Sequence, residues 1–315
     1  FPSCPIYIPR NMRCATQTPM ISRPTSVVCT TLVLIAVPLL AAFALVIPPH
    51  VTWTEDPATT ARIAWERDVP GRGTVHYGLT TNYTASVCDA GGVRRHTLIL
   101  RGLQPQTRYY YKVLSTDGYE SSGGTFVTAP LATPTSTLHF AVHGDLQGGL
   151  TESAARAVVE AILVDDPDLV IHIGDMAIQD YDSEHDFTTW NTFFSLATDE
   201  LERVVFMPTA GNHDWPANPI AYYWRVFDLP PRPAGGSHYS YDVGNVHFVV
   251  LNTDVDLASQ TNWLARDLQT AAYDTNITWI IPYFHRPPYS WGERGGDDGV
   301  KGAFSPELVR YEADV

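Results

Sequence analysis

The chain has 315 residues, enough for two domains with separate cores. It is 44% hydrophobic and 17% charged, which excludes a disordered chain. A formal net charge of -14 disfavours nucleic-acid partners, because an acidic protein repels polyanions.

Of four cysteines, Cys4, Cys14 and Cys29 lie in or before a hydrophobic leader, leaving Cys88 alone in the body of the chain. That distribution offers neither an intrachain disulfide framework nor a Cys-rich metal site. Met12 and Met20 are candidate starts, and residues 1–19 form an extension of undetermined kind. Residues 20–44 have the order of a secretory signal: Arg23, an apolar run from Val27 to Ile47, and the triplet Ala42-Phe43-Ala44. The run is also nearly long enough to span a bilayer. A cleaved signal and a membrane anchor over residues 27–47 therefore both stay open, with Pro38 and the A-x-A triplet favouring cleavage. Either way the charge bias places the remainder outside the cytoplasm, secreted or anchored there. The sequons Asn82-Tyr83-Thr84 and Asn276-Ile277-Thr278 carry little weight, since such triplets arise by chance.

Pro48-Pro49 is expected to end the leader and open a domain over residues 48–130. Short alternating runs follow: His50 to Trp53, Ala61 to Trp65 with a turn at Pro70-Gly71, Thr74 to Gly78, and His96 to Leu100. Strands at these intervals predict an all-β sandwich. Leu103-Gln104-Pro105-Gln106-Thr107-Arg108-Tyr109-Tyr110-Tyr111 resembles the tyrosine corner of fibronectin type III domains, with Trp65 as core aromatic. These aromatics read as core residues, not a binding site. The Pro- and Thr-rich stretch from Thr128 to Thr137 reads as a linker.

From residue 137 to 315 the pattern becomes strand–loop–helix. Leu138 to Val142 reads as a buried strand, and Thr151 to Leu163 as a helix with Thr151 as N-cap. Asp168 to Ile173 and Val204 to Met207 are further strands. A hairpin over Tyr239 to Leu251 turns at Gly244-Asn245. Gln260 to Leu268 is helical, and Trp279 to Phe284 is a strand. Such alternation predicts an α/β domain whose sheets are flanked by helices.

Polar residues gather where these strands end: Gly144-Asp145-Leu146-Gln147, Gly174-Asp175, Gly211-Asn212-His213-Asp214, and His285. Ligands bind at the carboxyl ends of strands in such sheets. The glycine before each Asp or Asn is expected to let the backbone turn toward the site. Carboxylates, an amide oxygen and imidazoles suit two divalent or trivalent ions. Two such ions clamp the attacking and leaving oxygens of phosphoryl transfer and lower the pKa of bound water. A lone Gly-Asp is only a turn pair; four in this order form a site.

The order GD, GD, GNHD, H resembles the calcineurin-like metallophosphoesterases, and the fibronectin-like front end resembles their purple acid phosphatase branch. The resemblance extends through Tyr239 to Phe248 and through His285-Arg286-Pro287-Pro288-Tyr289. It implies that Asp145 binds the first metal, Asp175 bridges both, and Asn212 and His285 bind the second. His213 would contact the phosphate and protonate the leaving group. The metal pair would be drawn from iron, zinc or manganese. Two positions depart from the pattern. Ile178 stands where purple acid phosphatases place a tyrosine, so their colour is not expected. Gln147 stands where many relatives have histidine, and either ligates weakly or holds a water. The family's closing Gly-His-x-His segment has no counterpart before Val315. The domain is thus expected to be C-terminally truncated, with weak metal binding and poor turnover as a fragment.

His139, His143, His172 and His247 fall within strands and read as structural, His143 close enough to support the site. Asp180, Asp182, Glu184, His185 and Asp186 read as a solvated loop, and Arg286 as partner to a carboxylate rather than to phosphate. The expected activity is metal-dependent hydrolysis of phosphate monoesters on a small phosphorylated substrate, by a metal-bound hydroxide. Two alternatives stay open: a phosphodiesterase of the same superfamily, and a non-catalytic surface interaction protein with a degenerate second domain. Oligomeric state is not legible.

Overall fold

The computed structural model describes residues 45–146, 151–177, 188–214, 220–233 and 236–314. The leader before residue 45, Gln147, Ile178 and the acidic loop 180–186 lie outside these residues. Among the described residues no helix is long and apolar enough to cross a membrane.

The front of the chain forms two sheets. One holds β1 (Leu45–Thr52), β2 (Thr60–Gly71) and β5 (Val93–Arg101). The other has the order β4–β3–β6–β7, from β3 (Gly73–Gly78), β4 (Ala85–Cys88), β6 (Arg108–Ser115) and β7 (Gly124–Val127). Alternate residues of β6 are buried, as the twofold period of a strand requires. Trp65, Tyr111 and Phe126 fill the space between the sheets, fully buried. The Trp65 indole N–H donates to Ser115 Oγ at 3.1 Å, and its ring stacks on His96. At the corner, the Gln104 amide donates to the Tyr109 hydroxyl at 2.9 Å.

Three local expectations need correction. The apolar run expected as leader through Ile47 ends early: its last residues already belong to β1, and Ile47 is core. Pro48-Pro49 lies inside that strand, where the register shifts between Ile47 and His50 accommodate residues that cannot donate to a ladder. β2 likewise runs through Pro70-Gly71, so the reversal comes at Arg72. Cys88, half-buried on the edge strand β4, is disulfide-bonded, against the expectation of no intrachain bridge. The other three cysteines lie outside the described residues.

The second part builds β8 (Phe140–His143), α1 (Glu152–Asp165), β9 (Leu169–His172), α2 (Thr188–Arg203) and β10 (Val205–Pro208). Thr151 caps α1, its hydroxyl accepting from the Ala154 amide. β8, β9 and β10 run parallel in sequence order. β9 and β10 are buried throughout, as parallel strands covered on both faces must be. β8 is an edge strand, and Val142 on it is exposed, so it is not the fully buried strand that its apolar run suggested.

After α3 (Ile220–Phe227), a second sheet forms from β11 (Tyr239–Val243), β12 (Val246–Val250) and β13 (Trp279–Tyr283). β11 and β12 make the expected hairpin, turning where Gly244 takes φ 58°. α4 (Leu257–Tyr273) and α5 (Asp298–Arg310) pack on its outer side through Leu264, Leu268, Val300 and Phe304. Its inner side meets the first sheet through Phe248 on Phe140 and through a set of tyrosines. Tyr223 and Tyr239 hydroxyls both donate to the Pro208 carbonyl, and Tyr283 donates to Met207.

The two parts share one sheet. β1 pairs parallel with β10, Val51 opposite Val205, giving six strands in the order β5–β2–β1–β10–β9–β8. α2 packs on β1 and β7 of the front part. Asp228, just after α3, accepts from Arg95 at 2.9 Å and Thr97 at 2.7 Å and faces Arg62.

Candidate metal centre

Each of four strands ends in one element of the site: β8 in Gly144-Asp145, β9 in Gly174-Asp175, β10 in Gly211 and a 3₁₀ turn Asn212–Asp214, and β13 in His285. Asp145 and Asp175 both adopt left-handed backbone, φ 56° and 57°. Residues with a Cβ rarely occupy that region, and such strain clusters at functional sites.

Two of the glycines act for different reasons. Gly174 has φ 96°, so the expected sharp turn is present. Gly211 needs room instead: a Cβ there would lie 2.3 Å from Asp175 Oδ1 and 2.5 Å from the Asp175 amide nitrogen.

Asp214 knits these loops together. One of its oxygens accepts from Asp175 N and Gly211 N, both at 2.8 Å; the other accepts from Met176 N at 2.8 Å and Ala177 N at 3.1 Å. Burial pushes the carboxyl up to about 7, against amides that favour the anion. Sequence reasoning gave this residue no role, although its place directly after Asn212-His213 was the available signal.

The structure brings together Asp145, Asp175 and His285, whose ligand atoms all lie within 4.8 Å of one another. Asn212 joins them, its Oδ1 3.2 Å from His285 Nε2. His285 Nδ1–H donates to the Ile173 carbonyl at 2.9 Å, which fixes the ring and turns Nε2 toward Asp175 Oδ2, 3.4 Å away. Burial opposes a charged ring here, yet Asp175, the Ile173 carbonyl and Asp145 push His285 up to about 9. Burial likewise opposes the Asp175 carboxylate, but His285 and the His213 amide hold it below the usual range. That amide donates to Asp175 Oδ1 at 2.9 Å. His213 therefore supports the site through its backbone; its Nδ1 is buried and bonds no described residue.

The donor set fits metal ions. Two carboxylates, one amide oxygen and one oriented imidazole nitrogen converge, and the imidazole is held from behind by the Ile173 carbonyl. Gln147, the remaining candidate ligand, lies outside the described residues.

The other histidines divide. His143 lies 3.1 Å from the buried Glu200 and packs edge-on against His172 beneath the site; burial holds His172 well below its ordinary pKa, hence neutral. His139 pairs with Asp165, and His247 sits between Asp242 and Asp267. Arg286 Nε donates to Asp254 at 2.6 Å, the carboxylate pairing that was expected of it.

Residues 138–315 match the family described as calcineurin-like phosphoesterase, and residues 47–128 the purple acid phosphatase N-terminal domain. The chain is 29% identical to purple acid phosphatase 21 of Arabidopsis thaliana, over 76% of its own length and 53% of that protein's. To acid phosphatase type 7 of Danio rerio it is 30% identical, over 62% of its length and 45% of the relative's. The structure of a purple acid phosphatase from yellow lupin (Lupinus luteus) seeds matches with a TM-score of 0.67 at 18% identity, covering 84% of this chain and 56% of that one. The chain thus spans about half the length of the curated relatives it matches. With both segments matched in this order, the chain belongs to the calcineurin-like phosphoesterases, in their purple acid phosphatase branch.

Proposed function

We propose that this chain carries the metal-binding core of a phosphatase that hydrolyses phosphate monoesters of small molecules outside the cytoplasm. The convergence of Asp145, Asp175 and His285 within 4.8 Å, with Asn212 beside them, carries the reading. Asp145 would hold one ion, Asp175 both, and Asn212 and His285 the other, the pair being iron, zinc or manganese. Two ions bound there would supply an activated water and offset charge on the phosphoryl oxygens.

The remaining chemistry belongs to the chain. Asp175 stays ionised because the His213 amide and His285 stabilise its charge. The Ile173 carbonyl keeps the His285 ring oriented, so that Nε2 faces Asp175 and would be ready to ligate an ion held there. Asp214 holds the loops that carry Asp175 and Asn212 in fixed relation, a preorganised electrostatic site. His213, one residue from Asn212, would donate a proton to the leaving oxygen.

The front domain, residues 48–130, reads as a fibronectin type III-like sandwich: seven strands split three and four, closed by the Tyr109 corner. Residues 137–315 form the catalytic domain. The signal-like order from Arg23 to Ala44 supports export.

The test is hydrolysis of an aryl phosphate by wild type and Asp175→Asn, with and without chelator, alongside metal stoichiometry by mass spectrometry. Loss of both metal and turnover in the variant is expected. Unchanged turnover in Asp175→Asn, or turnover that survives chelation, would refute the assignment.

A further inference from the structure

Arg286 follows His285 at the carboxyl end of β13, and its surroundings fix it more firmly than a surface arginine. β12 and β13 are parallel and in register, Val250 opposite Tyr283, so the segments leaving both strands lie side by side. The Arg286 amide donates to Thr253 Oγ1 at 3.2 Å, and its Nε to Asp254 Oδ1 at 2.6 Å. Asp254 is itself held, its amide donating to Asn252 Oδ1 and its Oδ2 accepting from Thr253. On the other side, Pro287 closes the neck of a loop through its carbonyl, which accepts from the Asp297 amide at 2.9 Å. Gly296 in that neck has no space for a Cβ, which would lie 2.5 Å from the Pro288 carbonyl oxygen.

The guanidinium is thus anchored by Nε while its two terminal nitrogens bond no described residue, and 41% of the side chain is exposed. An arginine tethered this way keeps the end of its fork for a planar, bidentate anion. It does so one residue from the candidate ligand His285 and near enough to Asp175 to interact with its charge, at the rim of the candidate centre. A phosphoryl group alone would be neutralised by the metals; a cation at the rim is placed to meet charge elsewhere on the substrate.

We propose that Arg286 is a specificity-determining residue that binds a second anionic group, a carboxylate or a second phosphate, on a phosphate ester whose phosphoryl group sits at the Asp145–Asp175–His285 centre. This rests on the phosphoesterase reading above. Asp254 is the positioning residue that aims the fork.

The experiment uses the full chain loaded with Zn²⁺ and titrated calorimetrically with three inert analogues. Methylphosphonate has one anionic group, phosphonoacetate adds a carboxylate, and methylenebisphosphonate adds a second phosphonate. Arg286→Gln is expected to weaken one or both of the two-group analogues by roughly tenfold to a hundredfold, the size of a hydrogen bond between charged groups. Methylphosphonate should change by less than about twofold, since Arg286 does not meet its single anion. Arg286→Lys, which keeps charge but loses the fork, should recover only part of the loss. Which analogue suffers tells carboxylate from phosphate. Equal weakening of all three, or of none, overturns the proposal, because a general electrostatic or structural role predicts the first and a bystander the second. Should Arg286→Gln melt below wild type, Arg286→Lys carries the same comparison. Failure of wild type to bind any of the three overturns the phosphoesterase reading itself, and this proposal with it.

Discussion

Replacing Gly211 by alanine tests the site at its tightest point. The Gly211 backbone is not left-handed, so alanine meets no conformational penalty there. The whole effect is steric. The new Cβ would lie 2.3 Å from Asp175 Oδ1, where ordinary contact begins at 3.4 Å, so the carboxylate or its loop must retreat by about an ångström. Overpacking of this kind costs about 1–3 kcal/mol. Moving Asp175 also loosens its bond from the His213 amide, which contributes about 1.5–3 kcal/mol for a charged acceptor. The sum is roughly 2.5–6 kcal/mol, or a fall in melting temperature of about 4–9 °C for a chain of this size. Gly102→Ala is the control. Gly102 has φ 69° with nothing within 4 Å of a new Cβ, so it tests backbone strain alone, about 1–2 kcal/mol. Thermal melts of both variants, followed by circular dichroism, give the comparison. Metal affinity measured by equilibrium dialysis should fall for Gly211→Ala only. If the two variants melt together, or if Gly211→Ala binds metal as wild type does, the packing argument fails.

Three other outcomes follow from the same geometry. Asp214→Asn swaps one acceptor oxygen for a donor group facing two backbone amides, and two buried N–H groups left unpaired cost about 2–6 kcal/mol; a melting point within a degree of wild type at pH 8 would count against the role given to Asp214. Burial opposes charge on His247, but Asp242 and Asp267 push it up to about 9, so the stability it contributes is complete below its unfolded value of 6.5 and is lost as pH rises to 9. Asp242 is exposed, which limits the effect to roughly 2 kcal/mol; urea unfolding at pH 6 and pH 9.5 should show that slope in wild type and not in His247→Gln. Asp228→Ala removes the acceptor shared by Arg62, Arg95 and Thr97 and should cost about 2–3 kcal/mol, with limited proteolysis reporting looser packing of β5; an unchanged cleavage pattern would argue against a docked front domain.

Elements with a clean period were legible in the sequence. β9, β10, β12 and β13 have largely apolar runs, and α1 announces itself through Thr151. α5 was hidden by Pro306, Gly299 and Gly302, residues that local propensity counts against a helix but that packing of Val300, Phe304 and Leu308 retains. α2 carries more polar residues than apolar ones; its buried side, Trp190, Phe193 and Ala197, is defined only by the sheet it covers. β4 and β7 are four residues long like β9 and β10 but lack their apolar run, Ser86 interrupting the first and Gly124-Thr125 opening the second. Pairing of β1 with β10 was beyond local reasoning altogether, since it joins Val51 to Val205 across what composition marks as a domain boundary.

The site was legible for a different reason. Asp145, Asp175, Asn212 and His285 stand next to glycines or strand ends, so that short segments bring them toward one point, and that placement is written locally. What holds them there is not local. Asp214 was visible as the last residue of a turn, but three of the four amides it accepts from are 37 to 39 positions away, on a loop whose own Asp175 must stay left-handed. Two carboxylates at left-handed positions, with a buried third behind them, form an arrangement that the chain alone has reason to avoid: like charges repel, and strained backbone relaxes. The four amides on Asp214 and the close fit of Gly211 to Asp175 oppose that relaxation without neutralising the outer pair. The protein thereby commits four hydrogen bonds to the carboxylate that faces inward, while Asp175 is also held by the His213 amide and His285; cations bound at Asp145 and Asp175 would tie occupancy of the centre to the stability of the loops that form it.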